Sequence, residues 1–139
     1  MATRFIHSLP ARAAGMFAKR LSSWGLLGLV VLTTTGRRTG EVRDVPLRPV
    51  RHDGRTYLVA PYGEVAWVHN ARAQPEATLR RGREVRRVVL HEVDHPEVVK
   101  RYYDREPIAS RFMDVPGDGD VGDFASIPGR FPVFRVDEA

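Results

Sequence analysis

Three glycine-centred turns fall between runs of β-branched and apolar residues, and they restrict this chain to strands joined by hairpins. Leu29 to Thr35 is β-branched and mostly apolar, as expected of a strand covered on both faces. It runs into Gly36-Arg37-Arg38-Thr39-Gly40, beyond which Val42 to Arg51 alternates; Pro46 and Pro49 within that run suit an edge strand or a bulge. His52-Asp53-Gly54 supplies the backbone that a short hairpin requires and leads into Arg55 to Ala60, a strand closed by Pro61-Tyr62-Gly63. Arg81-Gly82-Arg83 turns Thr78-Leu79-Arg80 into Glu84 to Val93, where the alternation slips after Arg87 and suggests a bulge. Arg130 to Val136 reads as the closing strand.

Helical spacing interrupts this pattern three times. Phe5, Ile6, Leu9, Ala13, Met16, Phe17 and Leu21 share one face, with Arg12, Lys19 and Arg20 beside it, so residues 1–24 are expected to form an amphipathic basic helix. Such a helix either packs on its own domain or makes a peripheral membrane or partner contact. Glu64 to Ala73 reads as a short helix ended by Pro75, with Trp67, Asn70, Ala71 and Gln74 along one side. Asp94-His95-Pro96-Glu97 has the signature of a helix start, and Pro107 limits or breaks the helix that begins there. Asp114 to Gly122, rich in Asp and Gly, reads as a mobile loop. About six antiparallel strands must hide their open edges, which predicts an α+β, mainly β fold: a small barrel or strongly curled sheet with flanking helices. The 139 residues suit one domain over 1–139.

Composition removes several chemistries. With no cysteine there are no disulfides, thiolate nucleophiles or cysteine-ligated metals, and a cytosolic site is the default expectation. The longest apolar run, Trp24 to Leu32, is nine residues, whereas a spanning helix needs about 20. His7, His52, His69, His91 and His95 are scattered, so no metal site is expected. The serines lack a Gly-x-Ser-x-Gly elbow, and neither a Walker loop nor Gly-x-Gly-x-x-Gly is present. No catalytic side chain is thereby assigned; a protein of this kind works through a cofactor that carries the reaction or through binding alone.

The formal charge of +5 is nearly all arginine, and its placement is more telling than its amount. Arg37, Arg38 and Arg43 sit in and just beyond a turn bracketed by Gly36 and Gly40, both free to take positive φ and turn amides outward. A guanidinium fork suits phosphate or carboxylate. The same residues also fit a solvated hairpin tip. Pro61-Tyr62-Gly63 and Trp67 could line a flat ring, although Trp67 equally suits a core anchor and Tyr62 a turn.

Thr33-Thr34-Thr35-Gly36-Arg37-Arg38-Thr39-Gly40 with Arg43 and Pro46-Leu47, then Ala60-Pro61-Tyr62-Gly63, then Ala66-Trp67-Val68-His69-Asn70-Ala71-Arg72-Ala73, resembles the deazaflavin-dependent nitroreductase family, also called deazaflavin-dependent oxidoreductases. The likeness runs from about Leu29 to Leu79. It implies a split β-barrel and the 8-hydroxy-5-deazaflavin coenzyme F-420, whose lactyl phosphate and oligoglutamate tail are anionic; flavin mononucleotide is the alternative cofactor. By that resemblance Arg37, Arg38 and Arg43 hold phosphate and tail, while Thr39 and Gly40 shape the turn. Pro46 and Leu47 lie along the cofactor, Ala60, Pro61, Tyr62 and Gly63 meet the deazaflavin edge, and Trp67 with Asn70 flanks the ring pocket. The implied reaction passes hydride from reduced coenzyme to a quinone, nitroaromatic or other activated small-molecule acceptor. Tyr62-Gly63-Glu64 is shorter than the lysine-bearing loop that relatives often carry here. Relatives also place tyrosines of a late helix over the substrate; Tyr102 and Tyr103 lie on such a helix.

Two other functions remain open on the residues. One is a non-catalytic carrier of F-420, flavin mononucleotide or a fatty acid on the same fold. The other is a nucleic-acid or membrane-surface binder using Arg80-Arg81-Gly82-Arg83 with Arg86-Arg87, but those clusters lack a neighbouring aromatic ladder, so no nucleic-acid partner is expected. A homodimer is compatible with the sequence.

Overall fold

The Arg48-Pro49 corner decides how the sheet closes. In the computed structural model, which describes residues 28–139, Val42 to His52 forms two strands, β2 (Val42–Leu47) and β3 (Val50–His52), with only those two residues between them. The other strands are β1 (Val30–Thr35), β4 (Arg55–Val59), β5 (Glu76–Arg81), β6 (Glu84–Val93) and β7 (Val133–Glu138). Their order is β2-β1-β5-β6-β7-β4-β3, so β2 and β3 are the opposite edges of one seven-stranded antiparallel sheet. Two residues reach at most about 7 Å, so the sheet must curl until its edges nearly meet. This is a split β-barrel, with seven strands where the pattern suggested about six. The extra strand comes from the proline corner; Pro46 lies in edge strand β2 and Pro49 just before edge strand β3, where a missing N–H is tolerated.

Turn chemistry sets the registers. Asp53 and Gly54 both take positive φ (50° and 74°), closing β3 on β4 with His52 opposite Arg55. The β5–β6 and β6–β7 ladders run without interruption, so the expected bulge after Arg87 is absent. Val88 and Leu90 point into the core, and Val89 between them is half-buried on the other face. An apolar run there reflects two partly covered faces rather than a slipped register.

Alternation along β4 and β7 divides the apolar residues between the two faces of the sheet. Leu58, Phe134, Val88, Leu90, Leu32 and Leu79 form one cluster, into which helix α1 (Ala66–Ala73) inserts Trp67, Val68 and Ala71. Tyr57, Val59 and Val133 face a second cluster covered by α2 (Pro96–Arg105), which supplies Val98, Val99 and Tyr102. Pro96 begins α2 after the N-cap His95, one residue past the expected Asp94, and Pro107 opens the short α3 (Pro107–Ser110). The Asp- and Gly-rich stretch is built rather than loose. It leads into α4 (Val121–Ala125) through a reciprocal cap between Asp120 and Asp123, whose carboxylate also accepts the Asp118 amide at 3.1 Å. The helix expected over residues 1–24 lies outside the described residues. Among those described, no helix is long and apolar enough to cross a membrane.

Phe134 is 1% exposed and its ring lies 5.4 Å from that of Trp67. Phe134→Ala is expected to remove about 3–5 kcal/mol of stability. The measurement is the denaturant midpoint at unchanged slope.

Candidate functional site

The arginine turn is held from below by one buried amide. Asn70 of α1 is 2% exposed, and its Oδ1 accepts both the Arg37 backbone N–H at 3.2 Å and Arg37 Nη1 at 3.3 Å. Its Nδ2 donates to Thr34 Oγ1 at 3.3 Å, so helix, strand and turn meet at a single side chain. Within the turn, the Gly36 amide donates to the Glu41 carbonyl at 2.6 Å and the Gly40 amide to the Gly36 carbonyl at 2.9 Å. Gly40 alone of the two glycines has positive φ, 74°. Gly36 is required for a different reason: a Cβ there would sit 2.9 Å from the Glu41 carbonyl oxygen. Below the turn, Thr33 Oγ1 donates to the carboxylate of Asp44, its directly opposite partner on β2.

Helix α1 is also fixed by charge in its last turn. Arg72 grips Glu92 of β6 with two hydrogen bonds of 2.8 Å and Glu64 with a third of 2.7 Å. These contacts raise the Arg72 pKa and lower that of Glu64, as expected of charge-assisted pairing.

Between α1 and the β1–β2 hairpin lies a cavity of about 820 Å³ that follows β2 from Arg43 to Arg48, a span of roughly 16 Å. Arg37, Arg38, Thr39 and Arg43 line one end. Arg37 is engaged by Asn70, Arg43 lies 3.5 Å from the exposed Glu41, and the Arg38 side chain has no hydrogen-bond or ion-pair partner among the described residues. The middle is walled by Pro46, Leu47, Val65, Trp67 and the buried Pro61. The mouth carries Tyr62, 60% exposed and edge-on to the exposed Phe112 at 6.4 Å.

Ten of the thirteen residues expected at the site line this cavity: Arg37, Arg38, Thr39, Arg43, Pro46, Leu47, Pro61, Tyr62, Trp67 and Asn70. Gly40, Ala60 and Gly63 do not. Gly40 completes the turn, Ala60 is fully buried with its amide on the Pro132 carbonyl, and Gly63 has a φ of 84° in the bend before α1. Trp67 is 6% exposed within the core and also forms a wall of the cavity.

The far end was less visible in sequence. Tyr102 and Glu106, one turn apart on and just after α2, reach the cavity together with Arg48, whose Nε lies 2.5 Å from Glu106 Oε1. Helical phase separates the two adjacent tyrosines: Tyr102 faces the cavity, whereas Tyr103 packs on Phe124 at 5.5 Å. Burial, and secondarily the Glu106 carboxylate, push the Tyr102 phenol from 10.0 up to about 12, so it stays a neutral O–H donor at ordinary pH.

The split barrel thus carries one long cavity, cationic at one end and apolar along its middle. A model of the F420H(2)-dependent quinone reductase family matches residues 7–110, and the chain belongs to that family: it is an F-420-dependent reductase. Among solved structures it is similar to an F420-H2 dependent reductase (FDR-A), at 25% identity over 79% of this chain and 94% of that one, with a TM-score of 0.52. A NimC/NimA family protein from Clostridium acetobutylicum shares the fold at 17% identity, covering 85% of this chain and 80% of its own, with a TM-score of 0.55. HutZ, the haem storage protein of Vibrio cholerae, does so at 10% identity, 87% and 89% coverage and a TM-score of 0.54.

Two outcomes are expected. Asn70→Ala leaves the Arg37 amide and the Thr34 hydroxyl without this partner and lowers stability by about 1–3 kcal/mol in denaturant titration. The phenolate absorbance lost between wild type and Tyr102→Phe corresponds to a group ionising near pH 12. Because the folded pKa is the raised one, the phenol's contribution to stability is complete below pH 10 and is lost as pH climbs toward 12.

Proposed function

We propose that F-420 lies along this cavity with its phosphate and glutamate tail on Arg37, Arg38 and Arg43 and its deazaflavin in the apolar middle. The observation that carries this reading is the continuity of one cavity from an unpartnered Arg38 to the Trp67 wall. Thr39 and Gly40 keep the turn in shape, and Asn70 aims Arg37. Pro46 and Leu47 flank the coenzyme on one side, Trp67 on the other, and Pro61 with Tyr62 closes on the ring, while Ala60 and Gly63 set the bend that brings these two in. Reduced F-420 supplies a hydride to an activated acceptor, a quinone, a nitroaromatic or another electron-poor ring. The walls exclude water from the ring compartment, and the neutral Tyr102 hydroxyl offers a hydrogen bond to an acceptor oxygen. Hydride addition to a quinone would leave a hydroquinone anion, whose proton would come from the coenzyme ring, which gives up a proton along with the hydride, or from solvent at the mouth, so the protein is asked for position and electrostatics and no titrating side chain is assigned.

Titration of the purified protein with F-420 tests this. Arg38→Ala and Arg43→Ala are each expected to weaken binding about tenfold or more, the effect of losing one charge-assisted contact, while turnover at saturating coenzyme stays near wild type. Flavin mononucleotide, with a single phosphate group, is expected to bind more weakly and to respond less to the two substitutions. Unchanged F-420 affinity in both variants would remove the turn from the site.

A further inference from the structure

At the end away from the arginine turn, the cavity adjoins a second basic groove. Arg48 and Glu106 line both spaces, and beyond them Arg51, Arg81 and Arg105 surround about 630 Å³. Separate elements deliver these guanidiniums to one place: the β2–β3 corner and β3, the end of β5, and the last turn of α2. Glu106 is the one carboxylate among the described lining residues. Arg48 is paired with it, and Arg51 Nη1 donates to Thr56 Oγ1 at 2.9 Å. The side chains of Arg81 and Arg105 make no hydrogen bond or ion pair with any described residue. Four cations around one space repel one another, and an anion placed there relieves that repulsion.

The coenzyme in its proposed pose makes no use of this groove, since its tail is held at the opposite end of β2. We propose that the groove is a subsite for an acidic group on the hydride acceptor, making the preferred acceptors planar activated rings that carry a carboxylate, sulfonate or phosphate. This rests on the proposed orientation of F-420. The ring of such an acceptor lies in the apolar part of the cavity, and its acid passes the Arg48–Glu106 pair. Glu106 neutralises Arg48 and turns anions away from that position, so the acid settles on Arg81 and Arg105. A neutral quinone gains nothing from these residues.

The test compares menadione with a naphthoquinone sulfonate in wild type and in the Arg81→Ala/Arg105→Ala double variant, both positions being exposed and outside the coenzyme contacts. Wild type is expected to show a KM for the sulfonate about tenfold or more below that for menadione. The double variant is expected to raise the sulfonate KM about tenfold, leaving menadione turnover and F-420 affinity within about twofold. Calorimetric titration with a non-reducible naphthalene sulfonate gives a reading independent of turnover, and the same loss is expected there. Equal wild-type KM values, or sulfonate binding indifferent to the substitutions, would overturn the proposal. So would a loss of F-420 affinity in the double variant, which would place the coenzyme tail in this groove. If wild type reduced neither quinone, the proposed function would fail, while the naphthalene sulfonate titration would still decide for or against the subsite.

Discussion

Curvature is the constraint on which the rest of the molecule depends. A seven-stranded antiparallel sheet left flat would expose two unpaired edges and would present only shallow surfaces to a ligand. Here one short proline corner joins the first and last strands of the hydrogen-bonded order, and the sheet has to bend round to satisfy it. Bending gives the sheet an inside that α1 can plug and an outside that α2 can cover. The gap between plug and hairpin is the long cavity. Closure, core and cavity are therefore one geometric solution rather than three separate features.

Within that frame the site is organised by segregation. Charge is gathered in the turn, where solvent hydrates the guanidiniums until a ligand arrives, and the apolar walls are drawn from residues that belong to the core. The two regions are kept in register by Asn70, a buried polar side chain whose capacity is used on the neighbouring strand and turn. A buried amide is tolerable only when satisfied, so its partners are held as firmly as it is. Arg72 performs a comparable service at the surface by clamping α1 to β6. The helix thereby holds the arginine turn in place through its own packing.

Local signals in the chain made much of this legible. Strand positions followed from β-branched runs, hairpins from Asp-Gly and from glycine between arginines, and the α2 start, to within one residue at the cap, from Asp94-His95-Pro96-Glu97, because each is decided by backbone preference within a few residues. The arginine turn and the Trp67 helix were readable for the same reason. The features that escaped were non-local. Val42 to Arg51 looked continuous because nothing in its alternation announces that the two halves pair with strands at opposite ends of the sheet. Val88-Val89-Leu90 resembled a slipped register because partial burial of the outer face depends on neighbours far away in sequence. Tyr102, Glu106 and Arg48 joined the cavity only through the docking of α2, and no spacing rule separates Tyr102 from Tyr103 until that helix has a fixed rotation. Ala60 and Gly63 show the converse: they belong to a recognisable motif yet shape the backbone beside the cavity instead of touching it.

Because Trp67 is at once a wall of the cavity and a pillar of the core, the pocket cannot be enlarged there without weakening the molecule. Freedom to diversify lies instead at the rim, where Tyr62 and Phe112 are largely solvated and carry little of the fold's stability. Descendants of this scaffold can change the shape of the molecules they admit by replacing rim residues while the walls behind them, built from the core, stay constant. Evolvability in such a protein is thus confined to its doorway.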